Sequence, residues 1–305
     1  MDTTIIYCSV CSSTSTIYIS QYISKDNLFL SVDSIRMCNN CGLVFAYPMP
    51  SDDELERYYG SGCFYELVAN PYSKESLEFS FRVAQSKVSI IFKIINSKGI
   101  NKVLDIGAGN AQLGKAIKML FPHILYDAVE PDGDCRDGWG SWVSNEFKQH
   151  DEAPKKQYEV VMLNHILEHL NKPIQFIDEI GDHLSKMGYL YIDVPNKDYL
   201  YKPTVDPHLL FFSKKSLEIA LKQVGYSIIF CDTVGMKMNM AKSFFGHHET
   251  PTIYKLLRPF HRADQINKIL NRIGLEQIID SFKLIKSDTY GGNRQWLRCI
   301  AQKMF

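Results

Sequence analysis

Apolar positions recur along the chain with two different periods. From residue 74 to residue 98 they return every three or four positions, which predicts an amphipathic helix that stops at Gly99. From residue 102 onward, short apolar runs alternate with segments of helical period. The runs predict strands at 102–107, 126–130, 159–163, 189–194, 226–231 and 295–303, and the segments predict helices at 112–121, 173–186 and 214–224.

This alternation predicts an α/β fold with a doubly wound, mostly parallel sheet, because parallel neighbours need crossover helices. Ser51 followed by Glu54 forms a capping box and predicts a short helix. The segment from about 235 to 290 is too long for a turn, and it predicts a helical insertion before the last strand. The chain therefore divides into residues 1–50, a helical linker or lid at 51–100, and an α/β domain at 101–305.

Composition and charge limit the kinds of molecule that the chain is expected to bind. The chain has 305 residues, of which 45% are hydrophobic, and equal numbers of basic and acidic residues, 34 each. That balance argues against a general nucleic-acid or membrane-surface binder. Residues 236–305 carry twelve Lys or Arg against five Asp or Glu, 12 − 5 = +7, which suits a phosphorylated partner or solvated helix faces. No apolar run is long enough for a membrane span, and the first residues lack a secretory signal, so we expect a cytoplasmic protein.

Four of the eight cysteines form the pattern C-x2-C … C-x2-C: Cys8, Cys11, Cys38 and Cys41. Two such knuckles supply four thiolates at a tetrahedral Zn²⁺, and Gly42 suits the tight turn after the second pair. Disulfides are the alternative, although a reducing compartment disfavours them. Four ligands leave no open position on the metal. We therefore predict a structural zinc ribbon in residues 1–50.

A small-residue loop follows the first predicted strand of the α/β domain, in the stretch KVLDIGAGNAQLGKAI. Asp105, Gly107 and Gly109 give the order Asp-x-Gly-x-Gly, and Gln112 breaks the dinucleotide fingerprint G-x-G-x-x-G. Glycines here let a ligand approach the backbone amides at a helix start. Glu130 stands at the tip of the next strand, where an acidic side chain can accept from both hydroxyls of a ribose.

The four segments VLDIGAGN, AVEPD, YEVVMLNHILEHL and GYLYIDVPN, in this order, resemble the class I S-adenosylmethionine-dependent methyltransferases. The resemblance covers residues 102–303 and implies a seven-stranded Rossmann-like sheet. It implies S-adenosylmethionine as cofactor, held by Asp105, Gly107, Gly109, Glu130 and Asn164. A nucleotide-binding fold of another chemistry is the alternative.

The cysteine pattern, continued by G-L-V-F, a Pro-rich turn and a Tyr-rich helix, is similar to the zinc module of nucleotide-sugar methyltransferases. Members of that group carry a histidine in the pattern Tyr-x-Glu-His-x-x-Tyr-Phe-Ser after the fifth strand. Here the stretch is VDPHLLFFS, which keeps His208, Phe212 and Ser213, while Val205 and Pro207 replace the Tyr and Glu. The departures and the lack of the group's large C-terminal domain argue against C-methylation of a keto sugar.

Two histidines are candidates for the base that deprotonates an acceptor hydroxyl, because a neutral imidazole near pH 7 suits that task. His208 is the first candidate and His165 the second, since both follow strands whose carboxyl ends meet at the ligand-binding edge of such a sheet. Each could instead be an ordinary hydrogen-bonded residue.

A divalent metal is a further alternative for this edge. Some small-RNA and ubiquinone-pathway methyltransferases use Glu-x-x-Glu-His with a divalent ion, and this chain offers His165, Glu168, His169 and His208 without the first Glu. Many metal-free methyltransferases have nearly the same string, in which Glu and His fix a helix start. We favour that structural role for Glu168 and His169.

The candidate substrate residues lie outside the glycine loop. Three tyrosines could stack on a sugar or close a lid, although core packing explains them equally well. Three arginines of the basic end could clamp a diphosphate. These residues are Tyr58, Tyr59 and Tyr65, and Arg258, Arg262 and Arg294.

The sequence thus predicts a methyltransferase for a hydroxyl of a nucleotide-linked or phosphorylated sugar, in glycan or natural-product assembly. The expected partner is a small molecule or glycan that carries phosphate. An RNA methyltransferase whose ribbon holds RNA is one alternative, and a non-catalytic cofactor-binding module is the other. The acceptor, the atom that is methylated and the oligomeric state stay open.

Overall fold

The computed structural model describes residues 5–24, 31–60, 74–200, 202, 204–235 and 295–304. The predicted insertion at 235–290 lies almost entirely outside these ranges. The strands are β1 (Thr16–Gln21), β2 (Ser34–Cys38), β3 (Val44–Tyr47), β4 (Lys102–Ile106), β5 (Leu125–Val129), β6 (Asn145–Phe147), β7 (Tyr158–Asn164), β8 (Leu184–Pro195), β9 (Leu210–Phe211), β10 (Tyr226–Val234) and β11 (Trp296–Lys303). The helices are α1 (Asp52–Gly60), α2 (Lys74–Ile95), α3 (Gln112–Leu120), α4 (Gly133–Asp137), α5 (Pro173–Gly181) and α6 (Lys214–Gln223).

Seven strands form the large sheet, in the order β10-β11-β8-β7-β4-β5-β6. The five strands from β8 to β6 are mutually parallel, and β11 runs antiparallel to β8 and to β10. This confirms the predicted mostly parallel, doubly wound sheet. We call the side on which β4, β5, β7 and β8 end the carboxyl edge. Loops at that edge surround the place where open α/β sheets bind ligands.

Most predicted elements are found with shifts of one to three residues at their ends. The helix predicted at 173–186 is wrong at its end, because α5 stops at Gly181 and β8 begins at Leu184. Lys303 closes this turn, since its Nζ donates to the Gly181 carbonyl at 2.6 Å. That contact comes from a strand more than a hundred residues away, so helical periodicity alone continues the helix too far.

Helix α2 covers one face of the large sheet. Its predicted apolar stripe is buried, including Ala84, Val88, Ile91 and Ile95, and it packs with α3 over strands β4, β5 and β7. None of the helices in the described ranges combines the length and the apolar character that a bilayer crossing requires. The burial of this stripe ties the predicted linker region firmly to the α/β domain.

A second, four-stranded antiparallel sheet has the order β1-β2-β3-β9. Strand β9 comes from the α/β part of the chain and pairs Val44 with Phe211 and Phe45 with Leu210. The buried apolar side chains of β2, β3 and β9 belong to the same core cluster as the face of the large sheet opposite α2. We call residues 5–24 and 31–50 the cysteine module. The large domain completes its sheet and shares its core.

Candidate functional site

The four sulfur atoms of Cys8, Cys11, Cys38 and Cys41 lie within 4.8 Å of one another. The closest pairs, Cys8 with Cys41 and Cys11 with Cys38, are both 3.5 Å apart. A disulfide needs about 2.05 Å, so these cysteines are not bonded to each other. Four thiolates around Zn²⁺ at about 2.3 Å would stand about 3.8 Å from one another. The cluster therefore fits a tetrahedral metal.

The two cysteine pairs sit on equivalent turns. The amide of Ser12 donates to the Cys8 carbonyl and the amide of Gly42 donates to the Cys38 carbonyl, both at 2.9 Å. Ser12 and Gly42 occupy the left-handed region, with φ of 55° and 75°. Helix α6 holds both knuckles, because Gln223 donates to the Val10 carbonyl at 2.8 Å and Lys215 to the Asn40 carbonyl at 2.5 Å.

The loop after β4 has the backbone that its glycines predict. Gly107 and Gly109 have φ of 70° and 51°, and a Cβ at Gly109 would meet no atom within 4 Å. The indole Nε1 of Trp139 donates to the Gly109 carbonyl at 2.7 Å and holds the loop in place. The loop thus borders open space at Gly109, whereas a Cβ at Gly107 would collide with the side chain of Ile166.

Glu130 follows β5 and faces this loop. Its Oε2 accepts from the Gly109 amide at 2.8 Å, and its Oε1 accepts from the Asp132 amide at 3.1 Å. Burial raises the pKa of the Glu130 carboxyl, while the two backbone amides oppose that shift. The structure therefore brings two of the predicted cofactor residues, Gly109 and Glu130, into direct contact.

Asp105 lies at the end of β4 and is almost completely buried, with 1% of its surface exposed. Its Oδ2 accepts from the hydroxyl of Tyr126 at 2.5 Å, whereas its Oδ1 has no partner among the described residues. Burial raises the pKa of this carboxyl to about 7, against the opposing effects of the Tyr126 hydroxyl and the Lys87 charge. An unpaired buried carboxylate oxygen is costly unless a ligand donor reaches it.

Asn164, the last residue of β7, contacts a lysine that the sequence did not single out. Lys87 of α2 donates from Nζ to the Asn164 Oδ1 at 2.6 Å and pairs with Asp193 at 2.9 Å. Arg298 of β11 pairs with the same Asp193 oxygen at 3.0 Å. All three charged side chains are less than 10% exposed.

His208 stands two residues before the start of β9 and is 9% exposed. Its Nδ1 is 2.6 Å from the Oδ2 of Asp198, a residue in the short turn after β8. Burial acts to raise the pKa of Asp198, but His208 and Lys202 outweigh it and hold that pKa well below its usual range. The Asp198 carboxylate can therefore accept the Nδ1 proton, and in the tautomer that carries this proton a histidine has its lone pair on Nε2.

The segment NHILEHL folds as a tight turn after β7, not as a helix start: His165 is left-handed, and a single 3-10 turn spans Leu167–His169. His165, which is one-third exposed, has its Nδ1 3.1 Å from the Oε1 of Glu168. Ligand atoms of Glu168, His169 and His208 lie within 4.8 Å of one another, so these three side chains could hold a metal ion. Both candidate bases thus border the same cluster.

Only some predicted substrate residues fall in the described ranges. Tyr59 is partly exposed, and its ring lies 6.0 Å from that of His169, while Tyr58 is buried in the shared core. Tyr65, Arg258, Arg262 and Arg294 lie outside the described residues. Of the described candidates, Tyr59 alone therefore has the exposure and the position that a substrate contact needs.

Asp198 and Lys87 are the functional candidates that sequence reasoning missed. Asp198 lies ten positions before His208 in NKDYLYKP, where no pattern marks it. Lys87 is the polar exception on a helix face that is otherwise apolar, flanked by Ala84 and Val88 and by Ile91 one turn further. A charged residue on the buried stripe of an amphipathic helix was the available signal.

A family model described as "Methyltransferase domain" matches residues 76–230. The chain therefore belongs to that methyltransferase-domain family. No curated protein matches it.

Two solved structures are similar to the chain at low sequence identity. The plantazolicin methyltransferase BpumL, solved in complex with SAH, is 14% identical with a TM-score of 0.50, over 82% of this chain and 93% of that chain. A SAM dependent methyltransferase from Archaeoglobus fulgidus is 17% identical with a TM-score of 0.48, over 73% of this chain and 94% of that chain. The family match and the fold support S-adenosylmethionine as the methyl donor.

Proposed function

We propose that this chain transfers a methyl group from S-adenosylmethionine to a hydroxyl of a nucleotide-linked or phosphorylated sugar. The family match supports methyl transfer. The open backbone at Gly109, the carboxylate of Glu130 across from it and the unpaired oxygen of Asp105 fit the cofactor. When bound, the cofactor would supply an electrophilic methyl group on a positively charged sulfur. The neutral thioether would be the leaving group. Glu130 binds the ribose of the cofactor, and Asp105 and Asn164 border the amino-acid part of the cofactor.

The Asp198–His208 pair is the observation that supports a hydroxyl as the group that is methylated. A hydroxyl must lose its proton as the new bond forms, and the Nε2 of His208 accepts that proton. Asp198 fixes the ring orientation through Nδ1 and stabilises the imidazolium that forms, from 2.6 Å away. His165 is the second candidate base, and its ring is more exposed and bonded to Glu168.

We assign a nucleotide-linked or phosphorylated sugar as the acceptor. The resemblance to nucleotide-sugar methyltransferases supports it, and so does the net positive charge of residues 236–305, which matches a phosphorylated acceptor. Tyr59 offers an aromatic face next to His169 for a sugar ring. We assign Zn²⁺ in the cysteine module a structural role, because four sulfur ligands leave no position for substrate.

A labelled-methyl transfer screen tests the proposal. Purified chain is incubated with S-adenosylmethionine carrying a labelled methyl group and with panels of nucleotide sugars, phosphorylated glycans and short RNAs, and products are mapped by mass. We expect label on a sugar hydroxyl. His208→Ala should lower kcat by about 10²- to 10⁴-fold while SAH binding is retained. Transfer to RNA, or no transfer to any acceptor, would contradict the sugar assignment.

A chelator separates the two ways of activating the hydroxyl. If His208 is the base, methyl transfer persists after dialysis against EDTA, provided that the zinc content of the cysteine module is unchanged. Loss of activity with intact zinc, restored by Mg²⁺, Mn²⁺ or Co²⁺, would instead make Glu168, His169 and His208 ligands of a catalytic metal.

A further inference from the structure

A cavity of about 470 Å³ lies between helices α2 and α3, next to the segment that follows α4. Its apolar wall consists of Leu77, Phe81 and Trp142. We call it the α2–α3 pocket. None of the residues that we assign to the cofactor lines this pocket. Its volume falls within the range of small-molecule sites, about 300 to 1,000 Å³, so it has room for a second ligand.

Two helix faces meet across the α2–α3 pocket. Glu78 and Phe81 are three positions apart on α2, so their side chains share one face of that helix. Gln112 and Lys115 share a face of α3 for the same reason. The Lys115 ammonium lies 4.8 Å from the centre of the Phe81 ring and 5.3 Å from that of the Trp142 ring. Two aromatic rings thus hold this charge at the pocket wall.

The polar groups of the pocket lack protein partners. Glu78 and Lys115 are exposed, and neither pairs with an opposite charge among the described residues. The Nε1 of Trp142, a donor, and the Oε1 of Gln112, an acceptor, are buried without a hydrogen-bond partner in the described part of the chain. Such buried atoms are costly unless a ligand or a water molecule reaches them. The pocket therefore offers a cation with a donor and an anion with an acceptor.

This set of groups matches a zwitterion that carries an apolar side chain. A carboxylate accepts from an ammonium and from an indole N–H, whereas an ammonium donates to a carboxylate and to an amide oxygen. A ligand with only a negative charge would leave Glu78 without a partner, and a ligand with only a positive charge would leave Lys115 without one. Free amino acids carry both charges on one carbon atom, beside a side chain that an apolar wall can contact.

We propose that the α2–α3 pocket binds a free amino acid with an apolar side chain. Lys115 and the indole of Trp142 bind its carboxylate. Glu78 and the amide oxygen of Gln112 bind its ammonium group, and its side chain lies against the apolar wall. This site is separate from the cofactor residues and gives the chain a second ligand, so the proposal does not depend on methyl transfer.

Three probes with the same ring test the proposal on the wild-type chain, with and without saturating SAH. L-phenylalanine carries both charges, 3-phenylpropanoate lacks the ammonium group, and 2-phenylethylamine lacks the carboxylate. NMR titrations that follow the probe signals give the dissociation constants. L-phenylalanine should bind about 3- to 10-fold more tightly than either singly charged probe, a small factor because both charged side chains are exposed. SAH should leave these constants unchanged within about 2-fold, and added salt should weaken the preference.

Two variants then assign the two charges. Lys115→Met keeps the apolar stem and should abolish the preference for L-phenylalanine over 2-phenylethylamine. Glu78→Gln should instead abolish the preference for L-phenylalanine over 3-phenylpropanoate. Lys118→Met, three positions further along α3 and outside the pocket, is the matched control and should change none of these affinities. An unchanged thermal unfolding midpoint shows that each variant is folded.

Three results would overturn the proposal. One is absence of L-phenylalanine binding, or equal affinity for all three probes. Another is a preference for L-phenylalanine that persists in both Lys115→Met and Glu78→Gln. The third is competition between L-phenylalanine and SAH, because the probe would then occupy the cofactor site. A chain that distinguishes the probes but does not bind SAH would reject the proposed function and leave the amino-acid site in place.

Discussion

We call the part of the carboxyl edge around the Gly107–Gly109 loop the cofactor edge. The cysteine module and the cofactor edge are stabilised in opposite ways. At the cofactor edge, the Gly107–Gly109 loop stands on buried parallel strands and on a core that α2 and α3 complete. The module contributes three short strands to its sheet, and the fourth strand, β9, comes from the large domain. The cofactor edge is supported by a hydrophobic core of its own domain. The module depends on neighbouring residues and on a four-cysteine cluster that fits a metal.

This difference indicates what the module is for. His208 lies two residues before β9, and β9 pairs with β3 of the module. The hydroxyl of Tyr22, also in the module, donates to the His208 carbonyl at 3.1 Å. The module therefore holds the backbone of the proposed base, whereas it makes no contribution to the α2–α3 core beneath the glycine loop. Damage to the module should affect chemistry more than cofactor binding.

The largest effect should come from removing a cysteine of the cluster. Cys41→Ser should release zinc, loosen β3 and β9, and lower methyl transfer by about 10³-fold or more, because the base loses its position. SAH affinity should change by less than about 5-fold. Zinc content, kcat and calorimetric affinity measure the three quantities.

Cys231→Ala is the matched control, since this buried cysteine of β10 lies outside the four-cysteine cluster. It should retain zinc and activity. Loss of SAH binding in Cys41→Ser to the same extent as loss of turnover would show that the two regions are not separable in this way.

An intermediate effect should come from Asp198→Asn. The amide keeps the shape of the side chain but no longer holds the Nδ1 proton, so His208 becomes a weaker and misoriented base. We expect kcat to fall by about 10- to 10³-fold, with zinc content and SAH affinity unchanged. The pH profile of kcat should shift as well. An unchanged kcat would remove His208 from the chemistry and leave His165 as the candidate.

The smallest effect should be the dependence of SAH affinity on pH, which concerns the cofactor edge alone. Burial raises the pKa of Asp105 to about 7, and the carboxylate form is the one that can accept from the cofactor ammonium. Acid therefore protonates the group that must be ionised for binding, and affinity falls as pH drops through 7. SAH affinity should decrease about tenfold between pH 8 and pH 6.

The variant Asp105→Asn serves as the control for this effect. It should bind SAH more weakly at pH 8 and show no dependence on pH in this range. A wild-type affinity that is flat from pH 8 to pH 6 would mean that Asp105 does not bind the ammonium group.

Much of the fold follows from local sequence. Periodicity predicted the strands of the large sheet apart from the short β6. The order Asp105, Gly107, Gly109 and Glu130 located a loop that is open at Gly109 and bonded there to Glu130. The spacing of the cysteines predicted their convergence. These features are encoded within a few residues of each other, where side-chain alternation, backbone freedom and fixed spacing act directly.

Tertiary structure decided which distant side chains meet. Lys87 and Asn164 are 77 positions apart, Arg298 and Asp193 are 105 apart, and strand β9 joins residues more than 160 positions away. No local period records such contacts, because they arise only when the sheet order and the strand register are set. The sequence by itself determined the sheet, the glycine loop and the four thiols. The partners of His208 and Lys87 came from long-range packing, which places buried charges where a neighbouring element can compensate them.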